Sequence, residues 1–122
     1  IMFTKTQFHI IDNIGKKINA VQSIVEALAL QNVSTTQIRA EHIDQPYDFV
    51  LGRAVAQLDT FCSWVKDKVA PHSQHPIANG ILYLKGNDPV HISAKHYIYP
   101  LHHFFAEPFY ATKQLVHCVP PL

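Results

Sequence analysis

Four strand-like runs of this 122-residue chain end in polar side chains that could bind a ligand. Those ends are Asp12-Asn13, Arg39-Ala40-Glu41, Gly52-Arg53 and Lys85-Gly86. In a parallel α/β sheet the carboxyl ends of the strands meet at one edge, and ligands bind in the crevice beyond it. The sequence therefore predicts that these polar ends converge on one ligand-binding edge.

The stretch "FHIIDNIGKK" is the most informative of these ends, because Asp12 directly follows an apolar run and a helix start comes next. A carboxylate that follows a strand of a nucleotide-binding unit commonly accepts hydrogen bonds from ribose hydroxyls. Aspartate is also a favoured N-cap residue, so a ligand-binding role and a helix-capping role both stay open for Asp12. Arg53 follows "FVLG" and is predicted to face the crevice or an ion-pair partner.

Three lysines are candidates for contacts with phosphate groups. Lys16 and Lys17 lie in the first turn of a predicted helix, where the positive end of the helix dipole disfavours them. A nearby polyanion would offset that cost, and an exposed, solubilising lysine pair is the alternative. Lys85 ends a later strand at the same predicted edge.

Composition and motifs argue against several other classes of site. Nine histidines occur, but their spacing matches no metal-ligand template and no HExxH or CxxC accompanies them, so we predict no metal site. No GxSxG, P-loop or GxGxxG motif is present, and the net charge of +1 does not by itself indicate nucleic acid. No run reaches transmembrane length, so we predict no membrane partner. Cys62 and Cys118 are predicted to be free, mostly buried thiols in a reducing cytoplasm.

Apolar periodicity predicts alternating strands and helices as far as residue 86. The predicted elements are a strand over 6–11, a helix from 14 to about 31, and strands over 33–38 and 47–53, followed by a helix over 54–69 and a strand over 80–86. Beyond them we predict a strand in "HYIYPL", a helical turn in "HHFF" and a final strand in "FYATKQLVHCV". The alternation indicates a doubly wound, mostly parallel α/β sheet, and the short last connection indicates an antiparallel C-terminal strand.

Four segments in this order also carry a family resemblance: "FHIIDNIGKK", "NVSTTQIRAEHI", "YDFVLGRAVAQL" and "GILYLKG". Their order and spacing resemble those of the bacterial 16S rRNA guanine-N7 methyltransferases (RsmG, also called GidB), strongly from Thr4 to Gly86 and loosely beyond. The resemblance implies a Rossmann-like class I methyltransferase fold with S-adenosylmethionine as cofactor. It also implies methyl transfer to guanine N7, with 16S ribosomal RNA or the small ribosomal subunit as partner.

The resemblance also implies roles for individual residues. It places Asp12 at the cofactor ribose, with Asn13 as a further cofactor-binding residue. The backbone of Ala40 and Glu41 would lie beside the adenine, and Arg53 would lie at the cofactor and the mouth of the active site. Independently of the resemblance, placement against a helix dipole and at the crevice rim makes Lys16, Lys17 and Lys85 the RNA-facing candidates.

The implied chemistry requires little proton transfer. Guanine N7 carries a free lone pair, so its attack on a sulfonium methyl group needs no general base. Catalysis would come from holding the reactants in line, which is worth up to ~7–11 kcal/mol for well-oriented groups. We therefore predict no catalytic side chain, and we expect the target base to be held by stacking and edge hydrogen bonds. Two positions depart from the family pattern, since Asn13 and Gly52 stand where serine is usual.

The family's glycine-rich loop and N-terminal helical region have no counterpart before "IMFTKTQ". We therefore expect residues 1–122 to be the C-terminal portion of a truncated methyltransferase domain, one that alone neither binds S-adenosylmethionine tightly nor methylates RNA. The family's first strand would lie between the strands that end at Asp12 and Arg53. Without it, we expect those two strands to pair directly or to recruit a strand from another copy, which predicts strand-mediated self-association.

Two other classes of function stay open from the residues alone. A phospho-acceptor receiver domain shares the length, the doubly wound sheet and a lysine such as Lys85, but it needs an acidic pair near Asp12 and an aspartate in place of Arg53. A non-catalytic α/β domain that binds RNA or a nucleotide fits as well. Measuring the binding of S-adenosylmethionine would separate these cases.

Overall fold

A computed structural model describes residues 1–122, and the chain divides into two compact units, Ile1–Ile43 and Asp44–Leu122. The first unit contains strand β1 (Phe8–Asp12), helix α1 (Gly15–Ala27), strand β2 (Val33–Gln37) and a 3₁₀ turn at Ala40–His42. The second unit contains β3 (Phe49–Arg53), α2 (Leu58–Val65), β4 (Gly80–Gly86), β5 (His96–Pro100) and β6 (Lys113–Cys118). Three further 3₁₀ turns lie at Lys66–Lys68, Leu101–His103 and Pro108–Thr112.

The first unit is a parallel pair of strands joined by one helix. β1 and β2 pair in register from Phe8 with Val33 to Asp12 with Gln37. Helix α1 buries Ile18 and Val25, which lie seven residues apart and therefore on one helical face. Their burial fixes which side of α1 packs against the strand pair.

The second unit is a four-stranded mixed sheet in the order β3-β4-β6-β5. β3 and β4 are parallel, whereas β6 runs antiparallel to both β4 and β5. Helix α2 covers one sheet face, because the ring of Phe61 lies 5.1 Å from that of Tyr83. Strand register places Ile81, Val116 and Cys118 on the same face as Tyr83, and all four are buried.

The predicted α/β class and the antiparallel final strand are both confirmed. The strands nevertheless form two sheets, and the expected direct pairing of the strand ending at Asp12 with the strand ending at Arg53 is absent: β1 pairs with β2 and β3 pairs with β4. The prediction of free, buried thiols at Cys62 and Cys118 is confirmed.

The predicted helix over 54–69 is too long at both ends. Ala54 has a φ of 54°, in the left-handed region, so the chain turns there and α2 begins only at Leu58. At the other end the helix tightens into the 3₁₀ turn after Val65. Helix α1 is also shorter than predicted, since it ends at Ala27 and Ala29 has a φ of 50°. Neither the start of α2 nor the end of α1 is marked by a glycine, so the apolar pattern predicted helices that extend beyond both points.

Candidate functional site

The carboxyl ends of β1 and β2 form a fixed edge in the first unit. Asp12 and Gln37 are register partners, and the N–H of Ile38 donates to the backbone carbonyl of Asp12 at 3.0 Å. The side-chain amide of Gln37 donates to the carbonyl of Asn13 at 3.3 Å. These bonds join the two chain segments that leave the strand pair, so Asp12 and Asn13 have a defined position.

The two carboxylate oxygens of Asp12 differ, because one accepts a hydrogen bond within the protein and the other does not. Its Oδ1 accepts a hydrogen bond from the N–H of Ile14 at 2.9 Å. Ile14 is itself the N-cap of α1 and provides no side-chain cap, so Asp12 shapes the turn before the helix rather than capping the helix. Its Oδ2 accepts no hydrogen bond within the protein. Asp12 therefore keeps one acceptor available for a ligand hydroxyl.

The turn after β2 holds the remaining first-unit candidates. Ala40 and Glu41 lie in the 3₁₀ turn, and Arg39 Nε donates to Glu41 Oε1 at 3.0 Å. A backbone N–H and the Arg39 guanidinium both stabilise the Glu41 carboxylate, and together they hold its pKa below the usual range. Glu41 is thus charged at neutral pH and already paired with Arg39. The backbone groups of the turn, rather than this side chain, are therefore the candidates for ligand binding.

Lys16 and Lys17 occupy the second and third positions of α1, and both are exposed. The first turn of the helix carries no acidic residue, so no carboxylate neutralises them locally. Neither ammonium group has a hydrogen-bond or ion-pair partner. The pair is therefore available to an external anion.

Arg53 ends β3 in the second unit, and it is exposed with no hydrogen-bond or ion-pair partner. The loop that follows it is held by Tyr83, whose hydroxyl donates to the carbonyl of Ala56 at 2.6 Å. The same hydroxyl accepts a longer hydrogen bond of 3.4 Å from the Ala56 N–H. An unpaired guanidinium thus stands on a loop that a buried tyrosine fixes to the next strand.

Lys85 differs from the other predicted RNA-binding lysines because its ammonium group is engaged. Its side chain is 14% exposed, and Nζ lies 2.8 Å from Asp88 Oδ2. Nζ also donates to the carbonyls of Asp88 at 3.2 Å and Pro89 at 3.3 Å. This hydrogen bonding holds the pKa of Asp88 below its ordinary value. The RNA contact of Lys85 stays a prediction, and a phosphate there would have to compete with Asp88.

Three residues that the sequence did not single out organise the edge of the second unit: Tyr83, Asp88 and Gln114. The buried Gln114 amide donates to the carbonyls of Gly86 at 2.8 Å and Asp88 at 3.0 Å, and so fixes the loop after β4. A cavity of ≈ 340 Å³ opens between that loop and the start of α2, with Leu58, Lys85 and His91 among its lining residues. The sequence signal for the fixed loop is Gln114, a polar residue at the start of the otherwise largely apolar run "QLVHCV".

The candidates therefore form two groups. Asp12, Asn13, Lys16, Lys17, Ala40 and Glu41 belong to the first unit, and Arg53 and Lys85 belong to the second. No group of three or more histidine, cysteine, aspartate or glutamate side chains is arranged to hold a metal ion. The helices are also too short or too polar for any of them to cross a membrane.

Residues 1–98 match the model of the GidB family, described as rRNA small subunit methyltransferase G. This chain belongs to that family. The proteins named ribosomal RNA small subunit methyltransferase G from Flavobacterium psychrophilum and Flavobacterium johnsoniae are 44% and 43% identical to it, each over 96% of this chain. The chain spans 57% of the length of each of these relatives.

A solved structure supports the family's fold. The rRNA methylase from Streptococcus thermophilus superposes with a TM-score of 0.57 over 93% of this chain and 74% of that one. At 7% identity this match shows the fold alone, and it confirms a methyltransferase-like α/β architecture. Membership of the GidB family replaces the receiver-domain alternative.

Proposed function

We propose that this chain is part of an enzyme that transfers a methyl group from S-adenosylmethionine to guanine N7 of 16S ribosomal RNA. The observation that carries the proposal is the GidB family match over residues 1–98, which includes every candidate site residue. The protein would act on ribosomal RNA or the small ribosomal subunit in the cytoplasm.

The polar groups of the first unit fit the polar half of this cofactor. Asp12 has an uncommitted carboxylate oxygen suited to ribose hydroxyls, and Asn13 lies beside it. The 3₁₀ turn at Ala40 and Glu41 would contribute backbone groups to the adenine. S-adenosylmethionine supplies an electrophilic methyl group on its sulfonium sulfur.

The chain's own contribution to the reaction would be binding and alignment. Arg53 carries a permanent positive charge with no internal partner, so it can bind an anionic group of the cofactor or RNA. Lys16 and Lys17 would bind phosphates on the RNA, with Lys85 as a further candidate. No side chain is needed as a general base, because guanine N7 already has a free lone pair.

The decisive experiment is a chimera in which this chain replaces the matching 57% of the Flavobacterium psychrophilum relative. We expect the chimera to transfer labelled methyl groups to 16S rRNA, with the product mapped to guanine N7. Asp12→Ala and Arg53→Ala should each lower activity at least tenfold. Arg53 is exposed, so its loss should leave thermal unfolding nearly unchanged, whereas Asp12→Ala also removes the hydrogen bond to the Ile14 N–H and should lower stability slightly. Lys95→Ala is the matched control for the loss of one exposed positive charge.

Three outcomes would contradict the proposal. A folded chimera that binds the cofactor but never methylates RNA would favour the non-catalytic binding domain. Methylation at another RNA position would overturn the guanine N7 assignment. Full activity in both the Asp12 and Arg53 variants would show that the site residues are wrong. Calorimetry of the 122-residue chain with S-adenosylmethionine tests separately our expectation that it binds the cofactor weakly by itself.

A further inference from the structure

The second unit contains a pair of cysteine thiols that the methyl-transfer proposal does not use. Cys62 lies on α2 and Cys118 on β6, and strand register places Cys118 on the sheet face that α2 covers. Across this interface each thiol is close enough to shift the pKa of the other. Residues 56 positions apart in sequence are thus neighbours in the folded protein.

The two thiols differ in how a small molecule can reach them. Cys62 is 8% exposed and Cys118 is 0% exposed. A cavity of ≈ 270 Å³ lies beside α2, and Cys62 lines it together with Ser63, Lys66 and His91, whereas Cys118 does not. Reagents that enter the cavity therefore meet Cys62, whereas the fully buried Cys118 does not line it.

The electrostatics of the pair favour the same order of reaction. The hydrogen bond from Cys118 lowers the pKa of the Cys62 thiol, although burial and the Asp59 carboxylate oppose the shift. The hydrogen bond to Cys62 and burial both raise the pKa of the Cys118 thiol. Because the thiolate is the nucleophile in thiol–disulfide exchange, Cys62 is the better attacking group.

We propose that Cys62 and Cys118 are a thiol modification site that reacts with small disulfides of the glutathione class to form a reversible internal disulfide. In the first step the Cys62 thiolate attacks one sulfur of the reagent, the reagent S–S bond breaks, and one reagent thiolate leaves. In the second step Cys118 attacks Cys62 Sγ, the bond between Cys62 Sγ and the reagent sulfur breaks, and the released reagent thiolate takes up the proton that Cys118 loses. Two protein thiols are oxidised and one reagent disulfide is reduced to two thiols.

Modification of Cys62 also weakens the effects that hold Cys118 protonated. Once Cys62 is a mixed disulfide it no longer carries a thiolate, so the contributions of Cys62 to the raised pKa of Cys118 are reduced, while burial still raises it. Cys118 then becomes the resolving thiol while it remains next to the sulfur it must attack. The reaction therefore proceeds to the internal disulfide instead of stopping at the adduct.

The test uses the folded 122-residue chain and oxidised glutathione, with acid quenching and intact-mass measurement. The wild type should lose two hydrogen atoms and show only a transient glutathione adduct, and dithiothreitol should restore the original mass. Cys118→Ser should accumulate the adduct on Cys62, because no resolving thiol remains. Cys62→Ser should react at least tenfold more slowly than Cys118→Ser, since its remaining thiol is sealed from the cavity.

Two controls keep the result interpretable even if a variant folds poorly. In urea both single-cysteine variants should react at similar rates, which shows that the difference depends on the fold. In the wild type, brief labelling with iodoacetamide and peptide mapping should find Cys62 modified before Cys118. Equal labelling of the two cysteines, a disulfide formed between two chains, or a stable wild-type adduct would each overturn the proposal. None of these results depends on methyltransferase activity.

Discussion

At the scale of single residues, Lys16 and Lys17 stand in an electrostatic setting that their own helix makes unfavourable. They lie at the positive end of the α1 dipole, and neither an acidic residue in the first turn nor a side-chain cap offsets them. Each such charge costs about 0.3–1 kcal/mol at low salt. Binding to an anionic ligand would offset this cost. Removing the two lysines should therefore raise stability and weaken RNA binding.

Replacing both lysines with glutamine tests this opposition. We expect the Lys16→Gln/Lys17→Gln variant to gain about 0.3–1 kcal/mol of unfolding free energy for each charge removed. In the chimera, the salt dependence of RNA binding should fall by a slope of about 0.7–0.9 for each phosphate group that the variant no longer binds. Urea unfolding and filter binding at several salt concentrations measure the two effects. Lys5→Gln is the control, and an unchanged slope would reject an RNA-binding role for the helix lysines.

At the scale of elements, helix α1 ends in a common C-terminal motif that has alanine, Ala29, at the position where glycine is preferred. The N–H of Ala29 donates to the carbonyl of Glu26, and that of Leu30 donates to Val25, both at 3.0 Å. This pair of bonds is the Schellman motif, which needs a left-handed residue at the position of Ala29. Alanine adopts that conformation at a cost that glycine does not have.

Glycine at this position should therefore stabilise the protein. We expect Ala29→Gly to raise the free energy of unfolding by about 1 kcal/mol, because it removes the left-handed strain. Ala20→Gly, at an exposed position inside the same helix, should lower it by about 1 kcal/mol. Urea unfolding followed by circular dichroism gives both values. If the two substitutions change stability in the same direction, the terminus of α1 is not the one described.

The packing of α2 on its sheet leaves no room for a side chain at Gly52. A β-carbon at Gly52 would lie 2.7 Å from Cζ of Phe61 and 3.0 Å from Cδ2 of Tyr83. The absence of a side chain at position 52 therefore provides the space that the ring of Phe61 occupies. Because the same tyrosine fixes the loop after Arg53, the packing of α2 is coupled to the position of that arginine.

Gly52→Ser should accordingly destabilise the protein by about 1–3 kcal/mol, the usual cost of overpacking a core. Phe61→Leu should be less harmful in the Gly52→Ser background than in the wild type, since a smaller side chain makes room for the new β-carbon. A double-mutant cycle from urea unfolding measures this coupling. Gly15→Ser is the matched control, because a β-carbon there meets only the flexible end of Gln37 at 3.0 Å. Equal losses of stability at the two glycines would contradict the packing argument.

These elements also show how far the sequence alone could go. Strand β4 was predicted with its observed bounds, and the polar strand ends were found, because both depend on local patterns. The start of α2 was missed because Ala54 and Val55 continue a helical pattern that a left-handed backbone interrupts. The partners of Lys85 could not be predicted, since they depend on the register between β4 and β6. The division of the strands into two sheets likewise depends on contacts that no local pattern encodes.

At the scale of the whole molecule, each sheet has an open edge. β3 pairs only with β4, so its other side offers unpaired backbone groups, and its central Leu51 is 67% exposed. Leu51 and Leu84 lie on the sheet face opposite α2, and both are exposed. An open edge strand with exposed apolar side chains favours association with another chain.

We therefore expect the 122-residue chain to self-associate as its concentration rises. Leu51→Lys should weaken this association, because a lysine on an edge strand disfavours pairing with a further strand. Sedimentation velocity over a range of concentrations measures the effect. Leu28→Lys replaces an equally apolar, exposed side chain at the end of α1 and serves as the control. A chain that stays monomeric at every concentration, or equal effects of the two lysines, would contradict association through β3.

The start of β4 has a consequence for how variation in this protein should be interpreted. A β-carbon at Gly80 would overlap the carbonyl oxygen of Cys118, which is backbone and cannot move aside as a side chain can. In a saturation library selected only for soluble protein, position 80 should accept glycine alone. Arg53 should vary freely under that selection, and Asp12 should vary within the limits set by its hydrogen bond to the Ile14 N–H. Both should become fixed only when methyl transfer is required. Comparing the two selections would separate the positions that folding requires from the positions that methyl transfer requires. An invariant glycine at position 80 would then reflect folding.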